Sequence, residues 1–392
     1  MKNILVVDDS ALMRRVISDI IQSDDRLTVK DTAANGLIAL ELITKNKYDL
    51  MLLDVNMPKM TGLELLGRMQ ENNLQVKTIM VSTTVKDGTK ETILALERGA
   101  FDFVTKPEDY LGVKDNKFKE ILLSTVAAAL GISDPAETDL KDKGREERAT
   151  VTVGAGKTEK RGASVTDAKV RYIPVRPPRN VKFAPHKKYT GSKERINKLV
   201  AIASSTGGPK SLQSVITKLP KNLDAPVLIV QHMPKGFTAS LAARLDEISP
   251  ITVKEAVHDE VLRKGCVYIA PGGAQMRVAK CDAGYKIAIN SDEPARDGLK
   301  PCANILYESL IGSKYDEITC VVLTGMGADG TMGIGLLGET NPVHVISQDE
   351  QSCIVYGMPK AIAEAGIVDK IVGLEDVASE ILKNVGVLNN GR

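Results

Sequence analysis

Cysteine is scarce in this 392-residue sequence, and the five present (Cys266, Cys281, Cys302, Cys320, Cys353) are widely spaced, odd in number and without a CxxC pair. A disulfide framework and a cysteine-built zinc site are thereby excluded, and the thiols read as reduced, mostly core residues of a cytosolic protein. No uninterrupted apolar run approaches 18 residues, so no membrane insertion is expected. The start, MKNILVVDDSALMRR, offers four apolar residues before two aspartates, too little for the apolar core of a signal peptide, and a cytoplasmic location is expected. Neither charge sign dominates: 52 basic residues face 50 acidic ones, a balance that selects no partner. Histidine is also rare, with only four in the chain, which sharpens any search for a general base.

What remains is ordinary globular composition, 43% hydrophobic and 26% charged, at a length that suits two domains and a connector. From residue 1 to 131, short apolar runs alternate with amphipathic stretches. Strands are predicted at Ile4 to Val7, Thr28 to Ala33, Leu50 to Leu53, Thr78 to Val81 and Phe103 to Thr105. Five strands interleaved with five helices imply an α/β fold with a parallel sheet covered on both faces. Residues 132–194 lose the periodicity. Between Asp134 and Ile196 stand sixteen lysines and arginines against nine acidic residues, with the Pro-rich centre IPVRPPRNVKFAP, and this stretch reads as a flexible basic linker. From 195 to 392 strands and helices resume, with apolar runs at Leu199 to Ala203, Val227 to Val230, Cys266 to Ala270, Ile287 to Ile289, Thr319 to Leu323 and Val343 to Ile346. The first two flank a helix of crossover length and should be parallel neighbours, making a second α/β domain.

In the first domain Asp8 and Asp9 follow the first strand, Asp54 the third, Ser82 ends the fourth, and Lys106 follows the fifth. In a parallel sheet those strand ends share one edge, where ligands of open α/β sheets bind. Three converging carboxylates repel one another unless a hard divalent cation joins them, and Mg2+ fits that demand. The hydroxyl and lysine suit a phosphoryl group on a carboxylate. The motifs VVDDS, LLDVNMPKMTGLELL, MVS and FVTKP closely resemble the response-regulator receiver domains of two-component signalling. The resemblance implies a flavodoxin-like five-stranded parallel sheet, Asp54 as phosphoryl acceptor, Asp8, Asp9 and Asp54 around Mg2+, and Ser82, Phe103 and Lys106 as the relay of the phosphorylated state. Thr61 stands where many receivers carry Asp.

In the second domain the stretch SSTGGP (204–209) follows an apolar strand, lacks the GxxxxGK of a phosphate-binding loop, and is not GxGxxG. Two glycines and Pro209 imply a strand, a tight turn and a helix, with Ser205 or Thr206 at the turn. A serine there becomes a nucleophile only with a base beside it. His186 lies in the linker, His344 inside a strand, and His258 between apolar segments, whereas His232 directly follows Val227 to Val230 and should emerge beside Ser205. The third member, an orienting carboxylate, is Asp329 in the glycine-rich TGMGADG loop or Asp349 after the next strand, and spacing alone does not choose.

The motifs IASSTGGP, QHMPKGFTASLAARL, YIAPGG, LTGMGADG and SQDEQSCIVYGMPKAI, across about 195 to 375, resemble the catalytic domain of the chemotaxis receptor methylesterases, the CheB-type protein-glutamate methylesterase/glutaminases. That resemblance implies a doubly wound α/β domain with Ser205 as nucleophile, His232 as general base and acid, and Asp329 as orienting carboxylate. By the same resemblance Thr206 and the Met326 segment are expected to border the oxyanion site. Two departures, Ala274-Gln275-Met276 where the family often has a histidine and Pro301-Cys302-Ala303-Asn304 in place of Pro-Ser-Val-Asp, are expected at the substrate rim.

The function so implied is phosphorylation-activated hydrolysis on methyl-accepting chemotaxis receptors. Glutamate methyl esters lose methanol, glutamines lose ammonia, and the unphosphorylated receiver covers the catalytic edge until a CheA-type histidine kinase phosphorylates Asp54. Mg2+ serves the receiver alone, and the hydrolase chemistry needs no cofactor. Two competing readings are a response regulator whose output binds nucleic acid with help from the basic linker, and a catalytically dead receptor adaptor. Against the first, the second half carries no helix-turn-helix or zinc-finger spacing; against the second, all three triad positions are present.

Overall fold

The computed structural model describes residues 1–83, 86–107, 116–132, 182–191 and 197–388. The stretch read as linker therefore lies mostly outside the described residues.

The N-terminal domain begins with β1 (Lys2–Val7), whose last four residues are fully apolar and buried, as a central parallel strand covered on both faces requires. It is followed by α1 (Ala11–Ile21), β2 (Leu27–Ala33), α2 (Gly36–Lys45), β3 (Leu50–Asp54), α3 (Gly62–Glu71), β4 (Thr78–Ser82), α4 (Lys86–Glu97), β5 (Asp102–Thr105) and α5 (Asn116–Leu130). The sheet order is β2-β1-β3-β4-β5, all parallel, as expected from the alternating pattern. Local chemistry sets the helix starts. The Ser10 and Asn35 side chains accept from backbone N–H groups three residues on, and Thr61 with Glu64 forms a capping box.

The C-terminal domain has β6 (Lys198–Ser204), α6 (Gly208–Ile216), β7 (Val227–Gln231), α7 (Phe237–Ile248), β8 (Thr252–Glu255), β9 (Cys266–Ile269), β10 (Gln275–Cys281), β11 (Gly284–Asn290), α8 (Ala303–Glu308), β12 (Glu317–Val322), α9 (Thr331–Thr340), β13 (Val343–Gln348), α10 (Met358–Glu364), β14 (Lys370–Val372) and α11 (Leu374–Val385). Seven strands form one parallel sheet in the order β14-β13-β12-β6-β7-β9-β8. β6 and β7 are neighbours, with Ala203 opposite Val230 and Ser204 opposite Gln231. Since β12 flanks β6 on its other side, the residues after β6, β7 and β12 leave the sheet at one edge.

One sequence expectation changes. Ile287 to Ile289 belongs to the antiparallel hairpin β10-β11, outside the parallel sheet, because Cys281 pairs with Gly284 across a turn too short for a crossover.

Residues 182–191, within the basic stretch, lie along the C-terminal domain. A Cβ on Gly335 would sit 2.3 Å from the Phe183 ring, and one on Gly338 2.7 Å from His186 Cβ, so the glycine face of α9 is what admits this strap. His186 Nε2 meets Asp369 Oδ2 at 2.9 Å, Lys188 pairs with the same carboxylate, and Lys187 bonds Gly338 and Val343 through its backbone.

The two domains share apolar core, with Met80, Ile93 and Leu96 of the receiver in one cluster with Val215 and Phe237. At their contact the Phe103 and Phe237 rings stack with centroids 4.5 Å apart. Arg244 grips Glu97 through two nitrogens at 2.9 and 3.1 Å, and the Thr89 and Ser240 hydroxyls meet at 2.7 Å.

Candidate active site and receiver pocket

Ser205 and His232 are the first residues past two adjacent strands, and their backbones are tied together. His232 N–H donates to Ser204 O at 3.1 Å, and the buried Gln231 amide donates to Ser205 O at 2.9 Å and to His232 O at 3.3 Å, while its Oε1 accepts the Ser204 hydroxyl at 2.7 Å. The paired glycines of SSTGGP have separate tasks. Gly207 takes φ +77 at the N-cap of α6, and a Cβ on Gly208 would lie 1.9 Å from Gln231 Oε1, so the second glycine exists to let that amide in.

Asp329 arrives from the loop after β12. Its Oδ2 accepts His232 Nε2 at 2.7 Å; with Nε2 committed, Nδ1 is the ring nitrogen left to receive a serine proton. No hydrogen bond joins Ser205 Oγ to His232 among the described residues, and such bonds commonly tighten only on substrate binding. Asp349 is engaged elsewhere, accepting the Ser352 N–H and hydroxyl. Burial pushes the Asp329 carboxyl upward, but bonds from His232, Ala303 and Asn304 outweigh it and hold the group below its ordinary value. The loop is fixed by Thr324, whose carbonyl accepts Ser205 N–H at 3.0 Å and whose N–H donates to the buried Gln348 at 2.8 Å. Among the described residues, neither the Thr206 nor the Met326 N–H is used in another hydrogen bond, which leaves two donors beside Ser205 for a developing oxyanion. Met326 is half exposed, at the mouth.

The rim expectation for Cys302 does not hold. The thiol is 1% exposed and sits behind Asp329, donating to Oδ1 at 3.2 Å. Gln275 is also buried, accepting the Cys302 N–H at 2.9 Å. Sequence reasoning missed Gln231 and Gln348, and placed Cys302 at the rim, because buried polar groups leave no periodic signal; a polar residue closing the run VLIVQ was the one available clue.

In the receiver, Asp8, Asp9 and Asp54 each bring a carboxylate oxygen within 4.8 Å of the others, a donor set that fits a hard divalent cation. Lys106 Nζ lies 2.7 Å from Asp8 and 2.8 Å from Asp54. Burial raises the Asp54 carboxyl to about 6, against the pull of Lys106 and with the push of Asp8. Ser82 is fully buried; its hydroxyl faces Gly88 O at 3.4 Å and accepts Thr92 Oγ1 at 2.8 Å, both on α4.

The two sites meet. β5 carries Lys106 just past one end and Asp102 and Phe103 at the other; Phe103 stacks on the first residue of α7, and the Asp102 carboxylate lies near the hydroxyl of Thr206, next to Ser205. Burial raises Asp102 to about 6, opposed by the Thr206 hydroxyl and the Phe103 N–H.

Fold and site together define a receiver-like α/β domain joined to a second α/β domain that gathers Ser205, His232 and Asp329 at one sheet edge. The sequence model of the response regulator receiver domain matches residues 4–112, and that of CheB methylesterase matches 200–381. The protein-glutamate methylesterase/protein-glutamine glutaminase of Bacillus subtilis (strain 168) is 43% identical over 97% of this chain and 98% of its own. Those of Geobacillus kaustophilus (strain HTA426) and Syntrophomonas wolfei subsp. wolfei are 39% and 37% identical, each over at least 97% of both chains. The chain belongs to the protein-glutamate methylesterase/protein-glutamine glutaminase family. No helix among the described residues is long and apolar enough to cross a membrane.

Proposed function

We propose that this chain hydrolyses glutamate methyl esters and glutamine side chains of methyl-accepting chemotaxis receptors, in the cytoplasm, at a rate set by phosphorylation of its receiver. The observation that carries the reading is Ser205, His232 and Asp329 meeting at one sheet edge, with His232 bonded to Asp329 at 2.7 Å. His232 takes the Ser205 proton as Oγ attacks the side-chain carbonyl, and the Thr206 and Met326 N–H groups receive the oxyanion. His232 then protonates the departing methoxide, and methanol leaves an acyl-serine. Water, deprotonated by the same imidazole, releases the glutamate carboxylate. A glutamine follows the same course and loses ammonia. Asp329, held anionic, stabilises the imidazolium and keeps Nε2 turned to itself.

The gate is the covered edge. Aromatic stacking and a part-buried ion pair each contribute on the order of 1 kcal/mol beside the shared apolar contacts, and a phosphoryl group acts by shifting the balance between closed and open arrangements. A CheA-type histidine kinase supplies the phosphoryl group to Asp54; Asp8, Asp9 and Asp54 would hold Mg2+ there, whose charge would offset that of the phosphoryl group. Lys106 then follows the phosphoryl oxygens, and Ser82 turns from Gly88 and Thr92 toward them. Both moves disturb the elements that present Phe103, Asp102, Thr89 and Glu97 to the hydrolase. The test is methanol release from methylated receptor by the full chain with phosphoryl donor and Mg2+; absence of release, or equal release by Ser205→Ala, refutes the reading.

A further inference from the structure

The Asp329 carboxylate is 6% exposed and accepts five donors. Oδ2 takes His232 Nε2 at 2.7 Å and the Ala303 N–H at 2.6 Å. Oδ1 takes the Asn304 N–H at 2.9 Å, the Gly330 N–H at 2.9 Å and the Cys302 thiol at 3.2 Å. His232 and Cys302 are the two side chains in this set, one on each oxygen. A carboxylate turns about its Cβ–Cγ bond; the Ala303 N–H on Oδ2 and the three donors on Oδ1 together resist that turn, and the Cys302 thiol is the one side-chain donor on Oδ1 that helps aim Oδ2 at the imidazole.

Cys302 is itself rigidly placed. Its N–H is fixed by Gln275, and the Asn304 side chain two residues on accepts the Gly330 and Gly333 N–H groups at 3.0 and 2.8 Å, tying the Asp329 loop to the start of α8. The other ionisable neighbours are Tyr307, buried beneath Asp329, and Arg296 near the thiol, which is committed to Glu308 at 2.6 Å.

We infer that Cys302 is a positioning residue of the hydrolytic reaction: its thiol donates to Asp329 Oδ1, fixes the carboxylate's rotation, and draws off part of the charge that otherwise falls on His232. Burial first, and the Asp329 charge second, keep the thiol above its ordinary pKa, so it stays protonated, the form that donates. The inference rests on the proposed hydrolase activity and adds to it a residue that touches no substrate.

Removing the donor leaves more negative charge facing His232. The imidazolium is then better stabilised, and the acid limb of kcat/KM, which reports the loss of neutral His232, moves upward. For Cys302→Ala we expect kcat to fall about threefold to tenfold with KM unchanged, and the acid limb to rise by about 0.3 to 0.5 pH unit. Cys302→Ser, which keeps a donor, should hold the limb at or below the parent's position and keep kcat within about twofold. Cys302→Val, close to the thiol in bulk and without a donor, repeats the test should the alanine cavity unfold the domain. The experiment is the pH profile of methanol release by the full chain with phosphoryl donor and Mg2+ present, with thermal midpoints to confirm folding. A folded Ala or Val variant whose acid limb does not rise, or a Ser variant as impaired as Ala, overturns the assignment. A parent chain that releases no methanol refutes the proposed activity instead, so the two failures are distinct.

Discussion

Asp54, which ends β3, and Asp329, in the loop after β12, are both buried carboxylates at parallel-strand ends, yet their environments drive them in opposite directions. Asp54 is raised to about 6 because burial outweighs the single cation of Lys106 and Asp8 adds repulsion, whereas Asp329 is held down because its donors outweigh deeper burial. The contrast separates two tasks. The proposed phosphoryl acceptor is left under-compensated, as a group that takes up a cation and a phosphoryl group should be. A group that must stay an anion through every turnover is saturated with donors.

Replacing the nucleophile breaks the hydrolase side of the comparison most severely. Ser205→Ala should lower methanol release by at least about a thousandfold while the receiver still takes up phosphoryl groups, as radiolabelled donor would report. Asp54→Asn does the reverse: basal release stays near the parent's, and the added donor no longer accelerates it, so the stimulated-to-basal ratio falls to about one.

The link between the sites is sharpened by pH. Asp102 is raised to about 6 from an ordinary 3.8, with burial the leading cause, and to the extent that docking supplies that burial the gate senses pH. A docked carboxyl with a raised pKa binds protons more readily than an undocked one, so docking strengthens as pH falls and weakens as pH rises through about 6. The release rate of the unphosphorylated chain, divided by that of a receiver-free fragment to cancel the triad's own titration, should climb about threefold from pH 5.5 to 7.5, and Asp102→Asn should flatten the climb. A flat ratio in the parent removes Asp102 from the gate.

The smallest effect concerns the strap. A catalytic fragment starting at residue 193 loses Phe183, His186 and Lys188 and leaves Asp369 short of two partners. It should melt about 5 °C below a fragment starting at 182, as differential scanning calorimetry would show. Equal midpoints would make the strap a passive tether.

Much of this architecture could be read from residue order. Apolar runs at Leu199 to Ala203 and Val227 to Val230, with a crossover-length helix between, put Ser205 beside His232, and the structure pairs those strands as expected. The edge strands β8 and β14 were not visible, at four and three residues too short to show a period, since their pairing comes from the sheet they join. The strap was hidden by its charge: sixteen basic residues masked one phenylalanine and one histidine whose seats are made by Gly335 and Gly338, about 150 residues away. Cys302 was legible as a cysteine and illegible as a neighbour of Asp329, because the approach of α8 to the Asp329 loop is a tertiary fact with no local pattern.

The central claim is that a receiver docked over Ser205 holds the hydrolase down until Asp54 is phosphorylated. The direct measurement is the initial rate of methanol release from methylated receptor by three species: the unphosphorylated chain, the chain with phosphoryl donor and Mg2+, and a fragment starting at residue 182. The account predicts that the fragment matches or exceeds the phosphorylated chain and that both outrun the unphosphorylated one. A fragment no faster than the unphosphorylated chain would contradict it.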